Sequence, residues 1–358
     1  MAIRADNKEE QEMSRFNGEL RRRTVLKGTL AIAASPAIIR SAAAQPTIRW
    51  KLQAYYPKAS ASFKDSLGVL ASEIQARTDG RLELELFGVG ELATGPEIFN
   101  MVRRGVIPMA TTYPGYNLGE ADLMGMYAGV PGTLREPWEM MHLTKNLGLE
   151  EALNEELRPK GVFMMADKAL TQEVVLKERI QPGDDLAAVK VRSTGAMLEF
   201  LDAAGFAPVH IAAPEIYQSL ATGVIDGANW GGPVGILSAR LWEVAKVYMR
   251  PTALISNDCY VINIAAWEQL PADVQTIFRS LLEERHFQRS IEYQHQNAVA
   301  LRTGLEKLGV EVQRFPDDIM AKFAESSRAI LAKEMAKGPK AKEIGEKLAG
   351  LMKDLGYA

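Results

Sequence analysis

Two stretches of strict alternation, residues 47–52 and 82–86, flank one stretch of helical spacing. No other feature of the chain narrows its fold as much. Ile48, Trp50 and Leu52 share one face, and Leu82, Leu84 and Leu86 share another against Glu83 and Glu85, the period-two pattern of a half-buried strand. Between them Phe63, Leu67, Leu70, Ala71 and Ile74 recur at helical intervals over 63–78, and Asp79-Gly80 supplies the stop. Strand, helix and strand in this order make a βαβ unit, which commits its strands to a parallel sheet covered by helices.

The same order recurs along the chain. A short helix is expected over 96–104, ended by Gly105, and a strand over 106–112. Helical spacing over 136–157 is broken near Gly148. Strands follow at 162–165, 172–176 and 188–192, then a helix over 195–204 closed by Gly205, a strand over 208–211 and a helix over 214–222 closed by Gly223. Residues 259–264 are strongly β-like, 271–308 are helical almost throughout, and the tail from Pro316 is amphipathic and helical. Two βαβα sets, a return strand and long helices fit two α/β lobes joined by more than one crossing. A cleft between such lobes is the default place for a ligand.

Length supports two lobes, because single cores stop growing near about 250–300 residues and this chain has 358. Cys259 is the only cysteine, which excludes an intrachain disulfide, an iron–sulfur cluster and a multi-cysteine zinc site. Lys plus Arg number 42 against 45 Asp plus Glu, so the strongly basic surface of a nucleic-acid binder is missing.

The first forty-four residues read as an address. Arg22-Arg23-Thr24-Val25-Leu26-Lys27 precedes a mild apolar stretch over 28–39, and Ala42-Ala43-Ala44 precedes Gln45. Paired arginines, a weak apolar region and a small-residue cleavage step describe a twin-arginine signal peptide over 1–44, hence export to the periplasm. The segment holds eight of the 42 basic and five of the 45 acidic side chains, so its removal leaves residues 45–358 with a net charge of −6.

Enzyme chemistry is not visible. His142, His210, His286 and His295 never pair at the i, i+3 or i, i+4 spacing of a metal motif. Gly88-Val89-Gly90 with Gly95 imitates a dinucleotide fingerprint, but its last glycine comes two places late and it follows the second strand of its unit. Cys259 lies in a β-rich run without a partner base. Arg192 draws attention instead. It ends a strand and precedes a helix, where a planar guanidinium fork suits a carboxylate; a surface salt bridge is the alternative for such a residue.

Several motifs together carry a resemblance. They are Leu186-x-x-Val189-Lys190-Val191-Arg192, Glu215-x-Tyr217-x-x-Leu220-x-x-Gly223-x-x-Asp226-Gly227, Trp230-x-Gly232-Pro233, Val261-Ile262-Asn263-x-x-x-Trp267-x-x-Leu270-Pro271, and the earlier Phe87-Gly88-x-Gly90-Glu91-Leu92. With these the chain, from Ile48 onward, resembles the extracytoplasmic solute-binding proteins of tripartite ATP-independent periplasmic (TRAP) transporters, the DctP-type family, and most of all the branch that binds 2-oxo and 2-hydroxy monocarboxylates.

The resemblance implies an α/β, two-lobed fold like that of type II periplasmic binding proteins, with hinge strands and long C-terminal helices. Lobe one would hold 46–172 plus about 262–310, lobe two 173–261, and the helices of 311–358 would pack across both. The hinge candidates are the strands at 172–176 and 259–264. It implies a binding protein and not an enzyme, one that captures a small organic acid and delivers it to the membrane permease subunits of a TRAP transporter. A secreted α/β enzyme acting on a carboxylic acid and a periplasmic sensor partner are the competing classes. Arg192 would clamp the ligand carboxylate, Gln172 would touch the ligand, and Asn229, Trp230, Tyr113 and Tyr56 would line the cleft. In the relatives a sodium or calcium ion bridges protein and ligand. Asn229, the Trp230 backbone and Asp258 match those contacts, but Asn229 stands where the family has an acid, so the alternative is a metal-free site in which Asn229 bonds the ligand. The helix from Pro271 is long enough to pair two chains as a homodimer.

Overall fold

The computed structural model describes residues 46–95 and 97–357; the signal segment expected over 1–44 lies outside the described residues. Among the described residues nine strands form one sheet: β1 (Ile48–Gln53), β2 (Leu82–Phe87), β3 (Met109–Thr112), β4 (Val162–Leu176), β5 (Lys190–Arg192), β6 (Ala207–Val209), β7 (Gly227–Gly231), β8 (Val247–Asn263) and β9 (Glu311–Arg314). Their order across the sheet is β2-β1-β3-β8-β4-β7-β5-β6, with β9 also paired to β8.

The βαβ reading is what the chain forms. β1 and β2 run parallel with Ile48 opposite Leu82 and Leu52 opposite Leu86, and the helical stretch between them is a turn of π-helix, Phe63–Gly68, leading into Val69–Arg77. The far end of the sheet repeats the arrangement, with β5 parallel to both β6 and β7. Two parallel groups are thus tied together by the antiparallel pair β4–β8.

Those two strands are much longer than the sequence suggested. Residues 162–165 and 172–176 belong to one strand of 15 residues, and 259–263 ends a strand of 17. Asp167-Lys168 in the first and Arg250-Pro251 in the second hid the continuity, because charge and proline are poor strand signals. Both interruptions are absorbed by register shifts, one between Ala166 and Lys168 and one between Gln172 and Val174. The first adds one residue to β4 and the second three to β8, and neither strand leaves the ladder.

The helix expected over 271–308 is Ala272–Lys307, unbroken for 36 residues. The tail divides into Asp317–Met335 and Pro339–Asp354. One apolar cluster joins Trp50, Leu52, Leu67, Phe163, Trp267 and Phe278 beside β1–β3. Another joins Ile216, Leu220, Ala228, Trp242 and Tyr248 beside β7. The largest carries the C-terminal helices: Phe323 stacks on Phe200 at 4.2 Å, and Ile344 and Leu348 belong to the same cluster as Met126 and Leu134. Helices on both sides leave the middle of the sheet, around β4 and β8, as the place where the parallel groups face one another.

Candidate functional site

A cavity of about 280 Å³ opens there. Its wall is drawn from the loop after β1, the end of β3, β4, β5, β7, β8 and the long helix. Arg192, Gln172, Trp230, Tyr113, Tyr56 and Asp258 all line it, whereas Asn229 does not.

Arg192 is the last residue of β5. It is only 3% exposed, and it is held from behind: Nε donates to the Ile211 carbonyl at 2.9 Å and Nη1 to the Asn229 carbonyl at 3.0 Å. Neither bond uses Nη2. The guanidinium carbon lies 5.3 Å from the Trp230 ring centre, within the range of a cation–π contact. Burial lowers its pKa from the ordinary arginine value, and the groups that act against that are the hydroxyls of Tyr116 and Tyr113. A buried cation faced by hydroxyls is poorly compensated, and an anion entering the cavity would correct this.

The rest of the wall is aromatic. Tyr55, Tyr56, Tyr113, Tyr116, Tyr217 and Tyr293 contribute to it. Four of them form an edge-to-face chain, with ring centres 4.9 Å apart for Tyr55–Tyr56, 6.0 Å for Tyr55–Tyr116 and 5.5 Å for Tyr113–Tyr116. Burial pushes their hydroxyls above the ordinary tyrosine value, so they stay protonated; Tyr55 donates to Asp258, which leaves Tyr56, Tyr113 and Tyr116 to face an anion. The Tyr56 hydroxyl is buried without a hydrogen-bond partner, an orphan of the kind that native structures rarely leave unused. Gln172 Nε2 donates to Ser256 Oγ at 3.0 Å, which fixes the amide at the cavity edge.

Asn229 sits in the middle of β7 with its amide committed. Nδ2 donates to the Glu173 carbonyl at 3.1 Å, and Oδ1 accepts from Ser193 Oγ at 3.3 Å. Asp258 faces the cavity, but Tyr55 donates to its Oδ1 and Lys168 to its Oδ2. Among the described residues no three His, Cys, Asp or Glu side chains converge as a metal-holding group.

Sequence reasoning passed over Tyr55, Tyr116, Tyr293 and the buried Asp167-Lys168 pair. The pair did leave a signal: two adjacent charges interrupt the otherwise apolar run of 162–170, and charges are almost never fully buried unless paired.

Comparison with known proteins identifies the family and the fold. The model of the family DctP, bacterial extracellular solute-binding protein family 7, matches residues 54–338. A curated relative, the monocarboxylate 2-oxoacid-binding periplasmic protein of Nostoc sp., is 24% identical over 348 residues, covering 94% of this chain and 95% of its own. A TRAP transporter solute-binding protein from Bordetella bronchiseptica, with calcium and picolinate in its site, superposes with a TM-score of 0.79 at 23% identity, covering 87% of this chain and 94% of that one. A TRAP periplasmic solute-binding protein from Pseudoalteromonas atlantica, with bound sodium and pyruvate, gives a TM-score of 0.78 at 22% identity over 86% and 95% of the two chains. The two-lobed fold is therefore shared.

Proposed function

The chain belongs to the DctP family of extracellular solute-binding proteins, and on that premise we propose that its cleft captures a small organic acid, a 2-oxo or 2-hydroxy monocarboxylate, for delivery to a TRAP-type membrane permease. The observation that carries the reading is Arg192, a buried guanidinium with one nitrogen uncommitted to its backbone bonds, in a wall of tyrosine hydroxyls. A single guanidinium suits a single carboxylate, and the apolar and aromatic remainder of about 280 Å³ suits a small body attached to it. The Nostoc relative is a monocarboxylate 2-oxoacid-binding protein and the Pseudoalteromonas structure holds pyruvate, the same ligand class.

The cleft acts by binding, not turnover. The support for this is the family, whose members are solute-binding proteins. Lobe closure about β4 and β8, the two long strands shared by both halves of the sheet, would bring Arg192 onto the acid. The lobes are 46–172 with about 262–310, and 173–261, with the C-terminal helices spanning them. Export follows the twin-arginine route encoded by Arg22-Arg23, which places the protein in the periplasm; no helix among the described residues is long and apolar enough to cross a membrane. Two chains pair through the helix Ala272–Lys307, whose Phe287 and Ile291 are 46% and 65% exposed; the Bordetella neighbour is described as a dimer.

A thermal-shift screen of small carboxylic acids tests the reading, because a ligand that binds only the native state raises Tm. Pyruvate or lactate should raise it. A chain whose Tm responds to none of a broad set of organic acids does not have this function.

A further inference from the structure

Lys168 is a fully buried charge near the cleft, at 0% exposure. It is the register partner of Asp258 across β4 and β8. The bulge between Ala166 and Lys168 suspends the usual alternation, so the consecutive side chains of Asp167 and Lys168 meet. The Lys168 ammonium lies 3.0 Å from Asp167 and also donates to Asp258. Tyr260 donates to the other oxygen of Asp167 at 2.7 Å, Tyr55 donates to the other oxygen of Asp258, and the Tyr56 and Tyr293 rings face the ammonium at 5.8 and 5.5 Å.

The charges in this network balance. Arg289, also fully buried, lies 5.3 Å from the Tyr293 ring and helps hold the Asp167 carboxyl below its ordinary pKa range. Burial works against the charged forms of Asp167 and Lys168. The ammonium, followed by the Tyr260 hydroxyl, still keeps Asp167 low, and Asp258, followed by Asp167, raises Lys168. Lys168 and Arg289, the latter also 3.5 Å from the half-exposed Glu292, stand against the two carboxylates, so the Arg192 charge is left over for the ligand.

An acid on the wall of an anion-binding cleft has to be neutralised. The Bordetella and Pseudoalteromonas proteins hold calcium or sodium together with their ligands. In this chain the two side chains that would meet such an ion beside the Trp230 backbone are already engaged: Asn229 by Glu173 and Ser193, and both Asp258 oxygens by Tyr55 and Lys168. We propose that Lys168 supplies from inside the fold the positive charge that a bound cation supplies in those neighbours, so that this chain captures its carboxylate without a metal ion. Lys168 does not line the cavity. It is a positioning residue that acts through Asp258 and Tyr55. The inference rests on the organic-acid function proposed above.

The experiment is isothermal titration of the purified protein with pyruvate, lactate, picolinate and pyroglutamate, once in chelator-treated buffer free of sodium and calcium, and once with calcium added. The expected result is that an acid binds with the same affinity in both buffers. Binding that appears only with calcium or sodium overturns the metal-free proposal and leaves the organic-acid function standing. Binding of no acid in either buffer overturns both. Lys168→Met adds a readout that loss of packing alone would not give. Its affinity in chelated buffer should fall by about tenfold or more, since it leaves a buried carboxylate unpaired, and calcium should restore it. Unchanged affinity of Lys168→Met in chelated buffer overturns the role of Lys168. Should that variant not fold, the wild-type pair of titrations still decides the metal question.

Discussion

The Arg192 guanidinium carbon stands 5.3 Å from the centre of the Trp230 ring, so this arginine on the cavity wall is braced by an aromatic face on one side and two carbonyls behind. Trp230→Leu keeps an apolar body there but removes the π face. Acid binding should weaken by about 0.5–2 kcal/mol, roughly two- to thirtyfold in Kd, in calorimetric titration. No change would mean that the ring only fills space.

Gly115 keeps Tyr113 in place by having no side chain. A Cβ built on it would lie 2.3 Å from the Tyr113 ring and 2.9 Å from its hydroxyl, closer than any real contact. Gly115→Ala should push the ring into or out of the cavity and weaken acid binding, with little loss of Tm. Full affinity in this variant would show that the position of Tyr113 is immaterial to the ligand.

His286 is a buried ring with neither nitrogen hydrogen-bonded, and burial, helped by the Lys145 ammonium, lowers its pKa to about 3. The unfolded chain binds this proton below the ordinary histidine value of about 6.5, while the native chain does not until far lower pH. Its contribution therefore destabilises the fold progressively as pH falls from about 6.5 towards 3, by at most about 1.4 kcal/mol per pH unit. His286→Leu should flatten the fall of Tm over that window, and an identical pH profile in the variant would contradict the assignment.

Phe287 and Ile291 lie one turn apart on the outer face of the long helix, and both are exposed. If this face pairs two chains, replacing both with lysine should convert a dimer into a monomer in sedimentation velocity and leave Tm nearly unchanged. A wild-type protein that sediments as a monomer at every concentration excludes the pairing.

Much of the fold was legible because periodicity reports burial. The β1–β2 unit follows from its alternating leucines, and the long helix from unbroken helical spacing after Pro271. The centre of the sheet was not legible. β4 and β8 carry charges and a proline in mid-strand, and only their pairing makes those residues tolerable: Lys168 fits a strand because Asp258 stands opposite it. The site divides in the same way. Arg192 and Trp230 lie in motifs short enough to read along the chain. The tyrosine chain joins Tyr55 and Tyr56 to Tyr113 and Tyr116, residues far apart in sequence that meet only because β1 and β3 are neighbours. Asn229 shows the converse: its place in a motif suggested a ligand contact, and the β-ladder turns its amide toward Glu173 and Ser193.

In the proposed function Arg192 holds the carboxylate of the captured acid. Calorimetric titration of the acid found by the thermal-shift screen into wild-type protein, Arg192→Lys and Arg192→Ala tests it most directly. Arg192→Ala should lose at least about 2 kcal/mol, roughly thirtyfold in Kd, as expected for one partner of a desolvated charge pair. Arg192→Lys should fall between, keeping the charge but losing the planar fork. Wild-type affinity in a folded Arg192→Ala protein would show that Arg192 does not hold the acid.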